Sequence, residues 1–202
     1  MPYVIRPRML KGVAGMLGAL LIGAAPAQAE LSYAGISTCS QPELTQPFLY
    51  ANDSSYYMLA PGQSADNFEG GGWTLTGGAS IEQTTLADGD SGAVLDLPSG
   101  SKAVSPAFCV TNEYPTARAL VRDVVGSEGV YFNVSYEGTK SWSTPKNTGQ
   151  VHGNGTAWTL ATPVNMQPGK VAGWQVVRLT LVPGGKTSDF QLYDLYIDPY
   201  SR

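Results

Sequence analysis

Histidine is almost missing: the 202-residue chain has one, His152. Cysteine is nearly as scarce, with Cys39 and Cys109 alone. Cations are few, 12 Lys and Arg against 16 Asp and Glu, and charged residues of both signs make up only 14% of the chain. Each scarcity excludes something. One histidine and two cysteines do not furnish a zinc site. A shortage of Lys and Arg argues against nucleic acid or an anionic lipid surface as partner. Outside the N-terminus no window sustains an apolar period of 3.6 residues, so no helix of note is expected. No internal repeat or low-complexity tract breaks the chain into units.

What is present begins with an export signal. Arg6, Arg8 and Lys11 precede an uncharged run at 13–25, and Ala27-Gln28-Ala29 fits the small-x-small cleavage rule. The run is far shorter than the ~20 residues of a membrane helix. Residues 1–29 therefore read as a secretory signal peptide, and the expected location is extracellular, with no membrane span after cleavage. Cleavage leaves 173 residues, one domain's worth, carrying 9 basic and 16 acidic side chains, a net charge of −7. That charge suits a neutral polymer, a cation or a basic surface, and equally suits simple solubility. In an exported chain Cys39 and Cys109 admit one disulfide. It would tether an N-terminal arm, residues 30–48, to a body at 49–202.

The body is punctuated by 24 glycines and 14 prolines across the whole chain, and short apolar runs lie between them, as an all-β domain requires. Strands are expected at 55–60, 73–76, 79–84, 94–97, 103–111, 116–125, 129–137, 158–166, 173–182 and 189–199. The Ser105-Pro106 step marks a bend or an edge. The run 138–155 reads as a long polar loop. Residues 129–137 alternate cleanly, with Val130, Phe132, Val134 and Tyr136 on one side and Tyr131, Asn133 and Ser135 on the other. Two antiparallel sheets packed face to face follow from this pattern, as a jelly-roll β-sandwich.

The closing strand breaks its own alternation. Phe190 and Leu192 share a face, but Leu195 and Ile197 have the opposite parity. Either both faces are buried or a bulge at Tyr193-Asp194 resets the register. In both cases Asp194 is a carboxylate in apolar company that needs a partner.

Phe68-Glu69 and Trp73 near the start, taken with Tyr193-Asp194-Leu195-Tyr196-Ile197 at the end, resemble galactose-binding-like jelly rolls, including many carbohydrate-binding modules. The arm cysteine and the closing Asp198-Pro199-Tyr200 also resemble a set of small secreted bacterial proteins. The first resemblance implies that Glu69 and Asp194 help to hold a structural calcium between the first and last strands. The chain departs from the pattern in having Asp194-Leu195 where two consecutive acids stand. The alternative for each carboxylate is a set of amide donors in a bulge or turn.

For a ligand, the candidates are Tyr131, Asn133, Trp142, Trp158 and His152. Sugar rings stack on flat aromatics while amides and charged groups bond their hydroxyls, and Trp142 sits in the long loop. Trp158 and Trp73 read equally well as core. Arg118 and Arg122 share one face, read as the solvated side of a strand. Gly89-Asp90-Ser91-Gly92 resembles the nucleophile segment of trypsin-like serine proteases, but His152 follows the serine instead of preceding it, so the segment reads as a turn. No Glu-x-Asp-x-x-Glu strand of the jelly-roll glucanase kind occurs. The sequence therefore points to a secreted, non-catalytic binding module for carbohydrate or a cell-surface polymer. An extracellular protein-contact sandwich and a glycan hydrolase stand as alternatives.

Overall fold

The computed structural model describes residues 39, 42–111, 115–138, 140–166 and 173–199. The expected signal peptide at 1–29 and, apart from Cys39, the expected arm before Pro42 lie outside the described residues. Among the described residues one 3-10 turn, η1 (Leu49–Ala51), precedes thirteen strands. These are β1 (Met58–Leu59), β2 (Thr74–Thr76), β3 (Ser80–Thr85), β4 (Ser91–Pro98), β5 (Lys102–Val104), β6 (Phe108–Val110) and β7 (Thr116–Val125). There follow β8 (Val130–Tyr136), β9 (Lys146–Val151), β10 (Thr159–Leu160), β11 (Val164–Asn165), β12 (Gln175–Pro183) and β13 (Asp189–Asp198).

Two sheets form, and every pairing in them is antiparallel. The first runs β10-β7-β13-β4-β3, with β1 also on β13 and β11 on β7; the second runs β2-β5-β12-β8-β9, with β6 on β12. The core lies between them. Ala117, Ala119 and Val121 of β7, Phe190, Leu192 and Ile197 of β13, and Leu95 and Leu97 of β4 face Val130, Phe132 and Val134 of β8 and Val177, Leu179 and Leu181 of β12, all fully buried. The expected two-sheet sandwich is what forms, because period-2 alternation leaves each sheet one apolar face to cover. Pro106 separates β5 from β6, both of which pair with β12.

One expectation fails at 138–155. Part of the expected loop is β9, which pairs with β8. Lys146-Asn147-Thr148-Gly149-Gln150 lies largely exposed at the sheet's edge. An edge strand need not show apolar alternation, so its sequence reads as loop.

The arm is joined to the body twice. Cys39 and Cys109 form the disulfide, with Cα atoms 5.8 Å apart, and Trp174 and Val176 pack beside it. Further along, Phe48 meets the rings of Tyr57 and Tyr196 edge-on on the outside of the first sheet.

β13 is the hinge of the arrangement. One edge pairs along β7, while the other pairs with β4 through Leu192 and with β1 from Tyr196. The register slips between Tyr193 and Tyr196, and Asp194 takes a left-handed φ of 49°. The broken alternation is thus a bulge.

Candidate functional site

A bulge strands backbone groups that water or a side chain must satisfy. Here Gln63 serves both groups of one residue: Leu195 N–H donates to Gln63 Oε1 (3.2 Å) and Gln63 Nε2 donates to Leu195 O (3.3 Å). Ala60 N–H donates to the same carbonyl at 2.9 Å. Asp194 Oδ1 accepts the Asp66 N–H at 2.8 Å. Asn67 continues the seam to β4, its Oδ1 accepting the Ala93 N–H at 3.1 Å. Residues 60–67 therefore fill the gap between β1 and β4 along the edge of β13.

Beside this seam opens a cavity of about 320 Å³ on the outer side of the first sheet. Tyr193 and Tyr196 of β13 lie in its wall with Asp194 between them. Pro47, Phe48 and Tyr50 come from the arm and η1, Ala65 and Asp66 from the seam, and Ala87 and Asp88 from the β3–β4 turn. Tyr193 is fixed in place: its hydroxyl accepts the Ala87 N–H at 3.0 Å, and Trp158 meets its ring edge-on at 4.8 Å between centroids. Tyr50, by contrast, is 69% exposed.

The electrostatics are acidic. Burial pushes the Asp194 carboxyl up to about 6, and the charges of Asp66 and Asp88 add to the shift against the opposing Asp66 amide. Burial and then the Asp194 charge raise the Tyr50 hydroxyl as well. These shifts place Asp66, Asp88, Asp194 and Tyr50 within one local field.

Next to the cavity lies a locked ion pair. Asp53 Oδ2 accepts from Arg118 Nη1 and from the Tyr57 hydroxyl, both at 2.6 Å. Burial alone would raise the Asp53 carboxyl, but the bonds from Tyr57, Ser55 and Arg118 hold it down at about 2. Arg118 also donates to Ala161 O and lies over the Phe48 ring. Arg122 bonds Gln191 and Thr84 and lies 4.5 Å over the Trp158 ring. The two arginines do share a face, but it is a bonded network and not the solvated surface their spacing suggested. The cause is the arm and the indole, which cover a sheet face that the strand pattern alone leaves bare.

The five expected ligand residues do not converge. Trp158 belongs to the first sheet's outer side, where it donates to Thr85 O and braces Tyr193. The other four belong to the second sheet or its margins. Tyr131 is 38% exposed on β8, and Asn133 donates to Thr180 O at 3.3 Å. His152 meets the Gln150 side chain, opposite Tyr131 in the register. Trp142 is packed near the disulfide, with the Arg178 guanidinium 4.1 Å over its ring. Sequence spacing cannot say which sheet a strand joins, and Trp158 follows a β9 that was read as loop.

Glu69 and Asp194, expected to hold a calcium together, are engaged in separate hydrogen-bond sets. Glu69 Oε1 turns back on its own loop, accepting from Ser64 Oγ (2.7 Å) and Asn67 Nδ2 (3.3 Å). Asp194 Oδ1 is taken by an amide. Among the described residues no group of three or more His, Cys, Asp and Glu side chains is arranged to hold a metal ion. The seam between early chain and closing strand exists, but amides close it.

Missed by the sequence reading were Tyr50, Asp66 and Asp88. Tyr50 sits in η1, just past the arm, and Asp88 in a turn that looked complete in itself. The one signal available was the parity break at Asp194, which marks the centre of the site.

No family model and no curated protein matches this chain. Solved structures do. The CBM22-1–GH10 modules of the Clostridium thermocellum endo-1,4-β-D-xylanase 10B, complexed with xylohexaose, match at 14% identity with a TM-score of 0.51. That match covers 73% of this chain and 29% of the other. The CBM22-1 xylan-binding domain from Paenibacillus barcinonensis Xyn10C matches at 13% identity and a TM-score of 0.46, covering 65% of this chain and 87% of the domain. The tandem CBM22-1-CBM22-2 domain of the same protein matches at 15% identity and 0.48, covering 73% and 47%. At such identities the likeness is one of fold alone: a jelly-roll β-sandwich.

Proposed function

We propose that this chain is a secreted, non-catalytic binding module whose ligand is carbohydrate and whose site is the cavity beside the β13 bulge. The observation that carries the reading is the exposed Tyr50 ring standing over a cavity whose wall alternates tyrosines with carboxylates. Flat aromatic faces take the apolar side of a sugar ring, and carboxylates accept from its hydroxyls. The site is built on rigid parts, since Tyr193 is held by an amide and an indole and Asp194 by an amide. The module-like fold supports the reading without choosing the sugar.

The test is retention of the purified protein on a panel of polysaccharides and cell-wall fractions. Tyr50→Ala is expected to lower affinity about tenfold, roughly 1.4 kcal/mol, with the melting temperature unchanged. No retention on any glycan, or undiminished retention by Tyr50→Ala, would sink the proposal.

A second reading is favoured by one feature. A carboxyl raised to about 6 beside other carboxylates in an open cavity is how a glycosidase general acid is prepared. Against it, Asp194 Oδ1 is occupied by the Asp66 N–H and so serves the bulge. Reducing-end release from the glycan that binds, lost in Asp194→Asn, would establish hydrolysis in place of simple binding.

A further inference from the structure

The cavity beside Asp194 has a charge imbalance that a neutral sugar leaves unused. Its lining includes three carboxylates, Asp66, Asp88 and Asp194, and neither lysine nor arginine. Asp66 and Asp88 are exposed, and Asp194 is half-buried between Tyr193 and Tyr196. The cation that acts on Tyr50 is Arg118. Arg118 is already spent on Asp53 at 2.6 Å, with both side chains largely buried.

Aromatic faces and carboxylates around one cavity are the two features that attract an organic ammonium. The ring quadrupole draws the cation to the tyrosine face, and the carboxylates add an attraction that weakens as salt screens it. The acids do not converge on a point as metal ligands do: among the described residues no trio is placed to hold a metal ion. Acids spread around about 320 Å³ match a charge borne on a ring better than a bare ion. The volume is at the small end for a ligand site, so one ring with its substituents occupies it.

We propose that this cavity recognises a pyranose carrying a free amino group, so that the preferred ligand is a glycan containing unacetylated amino sugars. The inference rests on the carbohydrate reading above and names the chemical class of that ligand. The amine lies among Asp66, Asp88 and Asp194, and the ring's apolar side lies on Tyr50. N-acetylation would remove the charge and add bulk, and it would therefore cost affinity twice.

Calorimetric titration of the purified protein at about pH 7.5, with low and then roughly 0.5 M salt, tests this. The probes are an oligomer of glucosamine, the matching oligomer of N-acetylglucosamine and a cello-oligomer of equal length. Asp194 is ionised at that pH. The glucosamine oligomer is expected to bind at least tenfold tighter than either neutral oligomer in low salt, and the ratio should fall towards one in high salt. Asp88→Asn and Asp194→Asn should each cut that ratio at least threefold, whatever their effect on absolute affinity. Asparagine suits both positions, since Asp88 serves a turn and Asp194 has a φ of 49°.

Equal affinities for the charged and neutral oligomers would overturn the inference while leaving the carbohydrate reading in place. A preference that survives both asparagine variants would also overturn it. So would neutral-oligomer binding that appears only with added calcium, because a metal would then be the cation at these acids. Absence of binding to all three, together with failure of the wider polysaccharide panel, would remove both readings.

Discussion

Asp194 is held in a conformation that few side chains accept, at a pH where its charge is unwelcome. Its φ of 49° suits asparagine better than other non-glycine residues, and Asn can still accept the Asp66 N–H. Its pKa is raised by burial to about 6, so the folded state holds the proton more tightly than the unfolded chain, whose value is 3.8. The stabilising contribution is therefore full below about pH 4 and is lost as pH rises through 6. Asp194→Asn is expected to be more stable than the parent at pH 7 to 8 and to lose this pH slope. Asp194→Ala is expected to be less stable by about 1–2 kcal/mol, from the left-handed backbone and the orphaned amide. Urea melts of the three proteins at pH 4.5 and 7.5 would show it; a parent-to-Asn difference that does not change with pH would contradict the burial of this carboxyl. The importance of Asp194 was legible from parity alone. Its partner was not: the resemblance offered Glu69, whereas the backbone N–H of Asp66 meets the carboxylate and the Gln63 side chain meets Leu195 beside it. A loop N–H and a side-chain amide that stand in for a strand leave no pattern in sequence.

The bulge and the seam work as one element. Gln63 bonds both backbone groups of Leu195, and Gln63→Leu leaves the Leu195 N–H without a partner while the carbonyl keeps the Ala60 N–H. A loss of about 1–3 kcal/mol is expected from chemical denaturation, with the first sheet's amides near Leu195 losing hydrogen-exchange protection before those of β12. An unchanged midpoint would show that the seam is ornamental. The arm is a second such element. Arg118→Met breaks a short ion pair, leaves Asp53 to Tyr57 and Ser55 alone and uncovers Phe48, and a cost of about 2 kcal/mol is expected at neutral pH. Because the Asp53 carboxyl is held at about 2, its contribution persists above pH 4 and is lost as pH falls through 2. The parent and Arg118→Met should therefore converge in acid. Strands with clean alternation, such as β8, were plain in the sequence because each buries one face. β9 and the arm's cover over the first sheet were not, since an exposed edge and a docked coil obey no period.

The molecule is a two-sheet sandwich whose arm is stitched on by the disulfide at one end and by Phe48 and Asp53 at the other. The cross-link spans 70 residues, and chain entropy puts its value near 4 kcal/mol. The double variant Cys39→Ser with Cys109→Ser should melt at lower denaturant by up to that amount while keeping its β-rich circular dichroism, because the aromatic clasp and ion pair remain. The fold class and the disulfide pairing were read from residues alone, through period-2 runs and an even cysteine count. The cavity proposed as the ligand site was not, because it is assembled from five stretches of chain: the arm with η1, the seam, the β3–β4 turn, Leu120 of β7, and β13. Only the fold brings them to one place. That assembly is the core of the functional proposal, and affinity of the parent and Tyr50→Ala for polysaccharide decides it. The expected result is saturable binding by the parent, weakened about tenfold in Tyr50→Ala at unchanged melting temperature. Equal binding by both proteins, or none by the parent across the panel, would contradict it.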